Sequence, residues 1–177
     1  MRDRRFVAAH RGGPLDRASH VFLARWAAGC AERVLPLFTR CSDDRRPQDA
    51  LVTARKWANG EVKTGAAMKA SLAAHAAARA AKDKAATAAA RAAGQAVATA
   101  HAADHSMGAL LYSLKALEAS GRPSEAALQH QLAKLPEHLR RPVTSGVCLR
   151  MKKLGIGKKN GQDPADLEEP GRRRIRP

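Results

Sequence analysis

The sequence AAMKASLAAHAAARAAKDKAATAAARAAGQAVATAHAA occupies residues 66–103, and it decides the class of fold that this chain can adopt. Alanine fills 22 of its 38 positions. Alanine has the highest helix propensity, and its small side chain lets helix axes approach one another closely. The charged triplet at residues 82–84 interrupts the stretch and favours a turn. We therefore predict two antiparallel Ala-rich helices at the centre of the fold.

Helical periodicity continues on both sides of this stretch. Apolar residues recur at intervals of three and four, which is typical of amphipathic helices with one buried face. Pro36 is expected to kink or end the first helix, and Gly60 and Gly121 to end helices. Pro136 and Pro142 are expected to break the last part into short pieces ending near Leu154. The periodic positions predict a buried core that includes Trp26, Cys30, Trp57, Leu110 and Leu114.

Composition limits the fold further. The chain has 177 residues, only 3% of them aromatic, so an all-β sandwich or barrel is excluded as a working hypothesis. We predict an all-α protein, a single compact bundle of six to seven helices spanning residues 18–154. Residues 1–17 are expected to form a flexible basic extension. Residues 155–177 combine glycine, proline and charge and are expected to form a disordered basic tail.

Cysteine usage and hydropathy indicate the compartment. Cys30, Cys41 and Cys148 are odd in number and widely spaced, which favours reduced, buried thiols over a disulfide scaffold. The N-terminus lacks the apolar run of a signal peptide. Residues 85–103 are too weakly apolar, and too interrupted by polar residues, for a good membrane span. We therefore expect a cytoplasmic protein that does not associate with membranes.

Candidate catalytic and metal sites are weak. His101 and His105 are spaced to place two imidazoles on one helix face, as in half of a zinc site, with His75 as a third ligand only if its helix packs alongside. The acidic residues are scattered: Asp44 and its neighbour suit a helix cap, and Glu32 suits a pair with an arginine. Nucleotide-binding loops are absent from the sequence. We predict no metal, no cofactor, no small-molecule substrate and no enzymatic activity.

Two groups of residues are candidates for binding a partner. His75, Arg79, His101, His105 and Tyr112 are candidates to line one polar groove, although ordinary helix packing is the favoured explanation for these residues. A second candidate is the exposed side of the first helix. It carries Arg25, Glu32 and Arg33.

The net charge of +16 raises a nucleic-acid alternative. Cationic side chains attract phosphates without regard to base sequence. Those near the C-terminus are Lys152, Lys153, Lys158, Lys159, Arg172, Arg173 and Arg174. Aromatic side chains for base stacking are not interleaved with them, so any binding is expected to be weak and non-specific. The competing interpretation is a solubilising tail.

Several strings resemble one family in the same order along residues 20–150. They are WAAGCAERVLPLF at 26–38, RRPQDALVTARKWANGE at 45–61, AAHAAARAA at 73–81, AARAAGQAVATAHAADHSMGALLYSLKA at 89–116 and HQLAKLPEHLRRPV at 130–143. They are similar to the Imm-5-like family of actinobacterial all-helical immunity proteins. The motifs around the two tryptophans and the paired histidines carry most of the resemblance.

The resemblance implies an all-helical immunity protein that binds and neutralises a cognate protein toxin without catalysis. No catalytic residues are carried over from the family. Residues 20–149 hold 18 basic and 10 acidic side chains, so the predicted domain is positive even without its ends. A cationic nuclease toxin is therefore a poor partner, and an acidic toxin, or a partner docked on an apolar groove, fits better.

Overall fold

The computed structural model describes residues 3–154 and residue 156, and in this part of the chain it is all-α, as predicted. Two short 3-10 helices, Arg4–Phe6 and Ala9–Arg11, precede eight α-helices. These are α1 Arg17–Glu32, α2 Leu35–Thr39, α3 Arg46–Ala58, α4 Thr64–Ala80, α5 Lys84–Ala98, α6 His105–Ala119, α7 Glu125–Ala133 and α8 Glu137–Leu154. The expected six to seven helices become eight because the short α2 follows α1 as a separate helix.

Helix α5 is the centre of the fold. It contacts α1, α2, α3, α4 and α6, and eleven of its fifteen residues are buried. Nine of the eleven are alanine, whose methyl group leaves room for neighbours on several sides at once. The other Ala-rich helix, α4, packs on α5 but lies at the surface, where Leu72 is 67% exposed. The predicted central pair is therefore one enclosed helix with one outer partner.

A second part of the core is built from large side chains. It joins α1, α6, α7 and α8 through buried leucine, valine and methionine residues, among them Leu110 and Leu114. Trp26 and Cys30 on α1 are buried here, and the Trp26 Nε1–H donates to the carbonyl oxygen of Gln131 at 2.9 Å. Trp57 is buried on the alanine side of the core and donates to Thr64 Oγ1 at 3.2 Å. Small side chains therefore predominate in only one of the two core clusters.

Helix boundaries follow local chemistry. Asp83 begins α5, because its carboxylate accepts the backbone N–H of Ala86 at 2.7 Å. Asp44 accepts the backbone N–H of Arg46 at 3.0 Å at the start of α3, although the N-cap residue there is Arg45, whose side chain makes no cap hydrogen bond. Gly60 and Gly121 follow helices with φ values of 81° and 77°, the left-handed conformation that glycine adopts without strain.

The predicted break at Pro142 is wrong. Helix α8 runs without interruption from Glu137 to Leu154 and contains Pro142 in its second turn. Proline removes one backbone hydrogen bond there. The helix persists because one face, which includes Val143 and Val147, is buried against the leucine-rich cluster. Pro136 does mark a boundary. It directly precedes α8, and its carbonyl oxygen accepts the backbone N–H groups of Leu139 and Arg140 in the first turn of that helix.

The N-terminal segment packs on the helices. Residues 3–15, for which the sequence favours flexibility, place Phe6 at 4% exposure and Leu15 at 6% in the leucine-rich cluster. These two apolar side chains anchor the N-terminal segment on the leucine-rich cluster. The predicted disordered tail lies outside the described residues except for Ile156, which is buried. The cations Lys158, Lys159, Arg172, Arg173 and Arg174 therefore also lie outside them.

The prediction of buried thiols holds for two of the three cysteines. Cys30 and Cys148 are buried free thiols, as predicted, whereas Cys41 is exposed after α2 and the prediction is wrong for it. Burial raises the pKa of the Cys30 thiol to about 12, so this side chain stays a neutral packing group.

Among the described helices, none is both long and apolar enough to cross a membrane.

The enclosure of α5 predicts a strong response to added volume. Ala89→Leu places three extra carbon atoms in a fully buried position of α5, and overpacking should lower the free energy of unfolding by about 1–3 kcal/mol or more. Ala66→Leu makes the same exchange at an exposed position of α4 and should change it by less than about 0.5 kcal/mol. Urea denaturation of both variants measures this. Equal effects would contradict close packing around α5.

Candidate functional site

The surface of α5 is reduced to a narrow strip. Its half-exposed residues are Thr87, Arg91 and Gln95, spaced by four and so aligned along one side of the helix. Helices α4 and α6 pack on either side of α5 and make few contacts with each other. We call these three residues, together with the side chains of α4 and α6 that border them, the α5 strip. It is a polar floor between two helices.

The α4 border of the strip is formed by His75. A Cβ atom built on Gly94 would lie 2.8 Å from Cε1 of His75, so the imidazole rests directly on the backbone of α5. Only glycine at position 94 leaves space for the ring in this position. Neither ring nitrogen of His75 has a hydrogen-bond partner among the described residues, and the half-buried ring remains open to solvent.

The α6 border repeats this arrangement. A Cβ atom on Gly108 would lie 2.6 Å from Oε1 of Gln95, so the amide side chain of Gln95 rests on the backbone of α6. That oxygen lies 2.7 Å from Nδ1 of His105 and accepts its proton in the neutral tautomer that fits this contact. The imidazole rings of His105 and His101 lie side by side, with their centroids 4.8 Å apart. Two glycines thus hold two polar side chains flat against the helices.

Arg91 occupies the middle of the strip. Its guanidinium carbon lies 5.8 Å from the ring centroid of Tyr112 on α6, a cation–π distance. Helices α4, α5 and α6 carry five lysines and arginines and one acidic residue. That residue, Glu118, accepts a hydrogen bond from Ser124 at 2.8 Å. The surface around Arg91 is therefore cationic.

Two histidines have pKa values below the usual range. Burial lowers the pKa of His75, and the charges of Arg91 and Arg79 lower it further. Burial also lowers the pKa of His20 on α1, against a hydrogen bond from its Nε2 to the carbonyl oxygen of Thr99 at 2.6 Å that raises it. His20 packs on Trp57 with ring centroids 5.1 Å apart. Both imidazoles are therefore neutral near pH 7.

The structure brings together most of the residues proposed for the polar groove. His75, His105 and Tyr112 border the strip, and His101 extends it, whereas Arg79 is exposed near the end of α4. Sequence analysis missed Arg91 and Gln95, which form the floor. The polar spacing of four through an otherwise Ala-rich helix was the signal that could have identified them.

The other candidate surface is separate. Arg25 and Glu32 lie on α1 where it meets α3, and each has a partner there: Arg25 donates to Asn59 Oδ1 at 3.0 Å, and Arg55 donates to Glu32 at 2.8 Å. The predicted pairing of Glu32 with an arginine is confirmed. Arg33 is exposed beside them. In this surface the charged residues Arg25 and Glu32 have hydrogen-bonding side-chain partners, whereas Arg91 in the α5 strip stacks on Tyr112 instead.

The remaining candidates for chemistry are few. Within the described residues, no three His, Cys, Asp or Glu side chains are grouped so that they could hold a metal ion. Nδ1 of His101 lies 2.8 Å from the carbonyl oxygen of Ala98, and Asp104 pairs with Arg150 at 3.4 Å. A pocket beside His20 and His101 has a volume of about 30 Å³, room for about one water molecule. Lys152 and Lys153 are exposed on the last turn of α8.

Together these features define an all-helical protein with a preorganised cationic strip on its surface. A family model for the Imm-5 like putative immunity protein matches residues 13–138, which is most of the chain and includes the whole strip. The chain belongs to this family. Searches of curated proteins and of solved structures returned no match.

The contact between His75 and Gly94 is testable by a double-mutant cycle. In a His75→Ala background, Gly94→Ala should raise the free energy of unfolding by about 0.5–1 kcal/mol, because alanine favours the helix and the ring is gone. In the wild-type background the same change displaces the ring, so the gain should be smaller or reversed. Thermal or urea denaturation of the four proteins gives the coupling energy. Additive effects would show that the ring does not rest on Gly94.

The lowered histidine pKa values predict a pH-dependent stability. The unfolded chain binds protons at His20 and His75 at higher pH than the folded protein does. Their contribution to the free energy of unfolding is therefore complete above a pH of about 6.5 and decreases as the pH falls below it. Urea denaturation between pH 7.5 and pH 5.0 should show this decrease. Combining His20→Gln with His75→Gln should reduce it, and an unchanged pH profile would contradict the assignment.

Proposed function

We propose that this protein is an immunity protein that binds a cognate protein toxin and blocks it sterically, without catalysing a reaction. Membership of the immunity-protein family supports the general role. The observation that carries the mechanism is the α5 strip, in which Gly94 and Gly108 hold polar side chains in place on an open surface. Preorganised polar groups at a surface favour binding, because little side-chain freedom is lost when a partner arrives.

The chemistry of the strip supports binding over catalysis. Its side chains are imidazoles, a guanidinium, an amide, a phenol and a hydroxyl, and no carboxylate lies among them. Neutral His75 is not hydrogen-bonded to a nucleophile, and the hydroxyl of Thr87 donates to the backbone carbonyl of Asp83 at 2.8 Å. The arrangement lacks the nucleophile, base and orienting group that covalent catalysis combines.

The charge of the protein restricts the toxin. With five basic residues and one acidic residue on α4, α5 and α6, this side of the protein attracts an acidic surface and repels a basic one. A toxin with an acidic face is therefore the proposed partner. The α1 surface around Arg25 and Arg33 is the second place where such a toxin can dock.

Co-expression tests the proposal. The product of the adjacent gene is expressed alone and together with this protein in the same host. We expect growth arrest by the product alone, restored growth on co-expression, and co-purification of the two proteins in a fixed stoichiometry. A toxic neighbour that is neither neutralised nor bound would contradict the proposed function. Turnover of the toxin or of its substrate by this protein would contradict the non-catalytic mechanism.

A nucleic-acid-associated role is the second candidate. The observation that favours it is the net charge of +16, with Lys152 and Lys153 exposed at the end of α8. Duplex binding should then weaken steeply with salt. Replacing Lys152, Lys153 and the arginines 172–174 by glutamine in the full chain should weaken it at least tenfold. Unchanged duplex binding would remove these residues from the role.

A further inference from the structure

We propose that Arg91, with His75 and Gln95, forms a carboxylate-binding site that takes one Asp or Glu side chain from the acidic face of the partner. This inference rests on the proposed function and identifies the chemical group that the α5 strip recognises. Arg91 provides the charge, and the side chains on either side of it provide neutral hydrogen-bonding groups.

Arg91 differs from the four arginines of the described residues that pair with a carboxylate. Arg5, Arg46, Arg55 and Arg150 each have a carboxylate partner within 3.4 Å. Arg91 has no carboxylate partner among the described residues, and its guanidinium lies over the ring of Tyr112 instead. A guanidinium against an aromatic face keeps its N–H donors at the edge, where a carboxylate can accept two of them at once.

The neighbours of Arg91 complete a set of donors. His75 carries ring nitrogens without partners among the described residues, next to the Arg91 charge that lowers its pKa. On the other side, Oε1 of Gln95 is taken by His105, so the amide nitrogen of Gln95 is left as a donor. One cation flanked by neutral donors binds a single anionic group better than it binds a second cation or an apolar side chain.

The two glycines indicate that this arrangement is specific. Glycine inside a helix costs about 0.5–1 kcal/mol relative to alanine. Gly94 and Gly108 are both inside helices, and at both positions a methyl group would collide with a polar side chain of the strip. The sequence therefore has glycine where His75 and Gln95 need space, in the Ala-rich α5 and in α6. Gly146 on α8 makes room for the apolar Met107 in the same way, whereas Gly94 and Gly108 make room for polar side chains of the strip.

The position of the site favours a protein carboxylate over a nucleic-acid phosphate. Arg91 is half-buried on the floor between α4 and α6, where a protruding side chain can reach it. A duplex presents its phosphates along a rod and gains affinity from many exposed cations at once. A single recessed arginine suits the first geometry better than the second.

The experiment uses the full chain and a fluorescein-labelled hexaglutamate peptide as the probe, with binding followed by anisotropy at low salt. Arg91→Gln should weaken binding about tenfold, since loss of a hydrogen bond to a charged group costs about 1.5–3 kcal/mol and 1.4 kcal/mol is a factor of ten. Arg141→Gln removes the same charge from an exposed position of α8, which packs on α6 and α7, and should weaken binding less than twofold. Arg91→Lys keeps the charge without the planar fork and should fall between them.

A second measurement separates the site from net charge. The peptide should shift the NMR signals of the His75 ring and raise its apparent pKa in the wild-type protein, and it should do neither in Arg91→Gln. Circular dichroism checks that each variant is folded, and Arg91→Lys replaces Arg91→Gln in both measurements if the latter unfolds. Equal losses for Arg91→Gln and Arg141→Gln, or an unmoved His75 signal, would overturn the proposal.

Two further measurements, of duplex binding and of toxin neutralisation, distinguish this inference from the proposed function. If a duplex oligonucleotide binds more tightly than hexaglutamate and is lost with Arg91→Gln, the site takes phosphate and the carboxylate assignment is wrong. If the toxin is neutralised equally well by wild type and Arg91→Gln, the immunity function stands and the site is wrong. Loss of peptide binding in Arg91→Gln without any neutralisation by wild type would leave the site standing and the immunity function wrong.

Discussion

The close approach of five helices to α5 is the constraint on which the rest of the structure depends. A helix can be surrounded in this way only if its side chains are small on nearly every side, and α5 meets this condition with alanine. The dispersion contacts of each methyl group are weak, but they are made over the whole length of the helix. The leucine-rich cluster on the far side of α6 then supplies the larger buried area that stabilises α7, α8 and the N-terminal segment.

The same constraint creates the candidate site. Because its other sides are covered, α5 reaches solvent along its length through Thr87, Arg91 and Gln95, besides the exposed Lys84 at its first position. The glycines at positions 94 and 108 bring His75 and Gln95 into the plane of this strip. Packing and binding are therefore linked at single positions: the residues that allow the helices to approach also decide how the polar groups are presented.

The sequence predicted the helical class, the turn at residues 82–84 and the buried positions of both tryptophans, because these follow from local propensity and periodicity. It did not predict that α8 passes through Pro142, since tertiary burial of Val143 and Val147 compensates a local defect. It also missed the packing of Phe6 and Leu15, because two isolated apolar residues carry no periodic pattern.

The sequence predicted the histidines of the candidate site but not the two residues at its centre. His75, His101 and His105 are conspicuous as residue types, whereas Arg91 and Gln95 gain significance only when the other sides of α5 are known to be covered. The spacing of four between Thr87, Arg91 and Gln95 marks the side of this Ala-rich helix that stays open. The residues that border that side from α4 and α6 are a property of the assembled bundle, which periodicity within α5 does not reveal.

The enclosure of α5 also restricts how this protein can change over generations. Most positions of α5 are buried and leave little space for a larger side chain, so inherited variation in that helix is limited mainly to the four that reach the surface, Lys84, Thr87, Arg91 and Gln95. Substitutions at those positions and on the outer faces of α4 and α6 can then alter the chemistry of the surface. The scaffold beneath them stays the same.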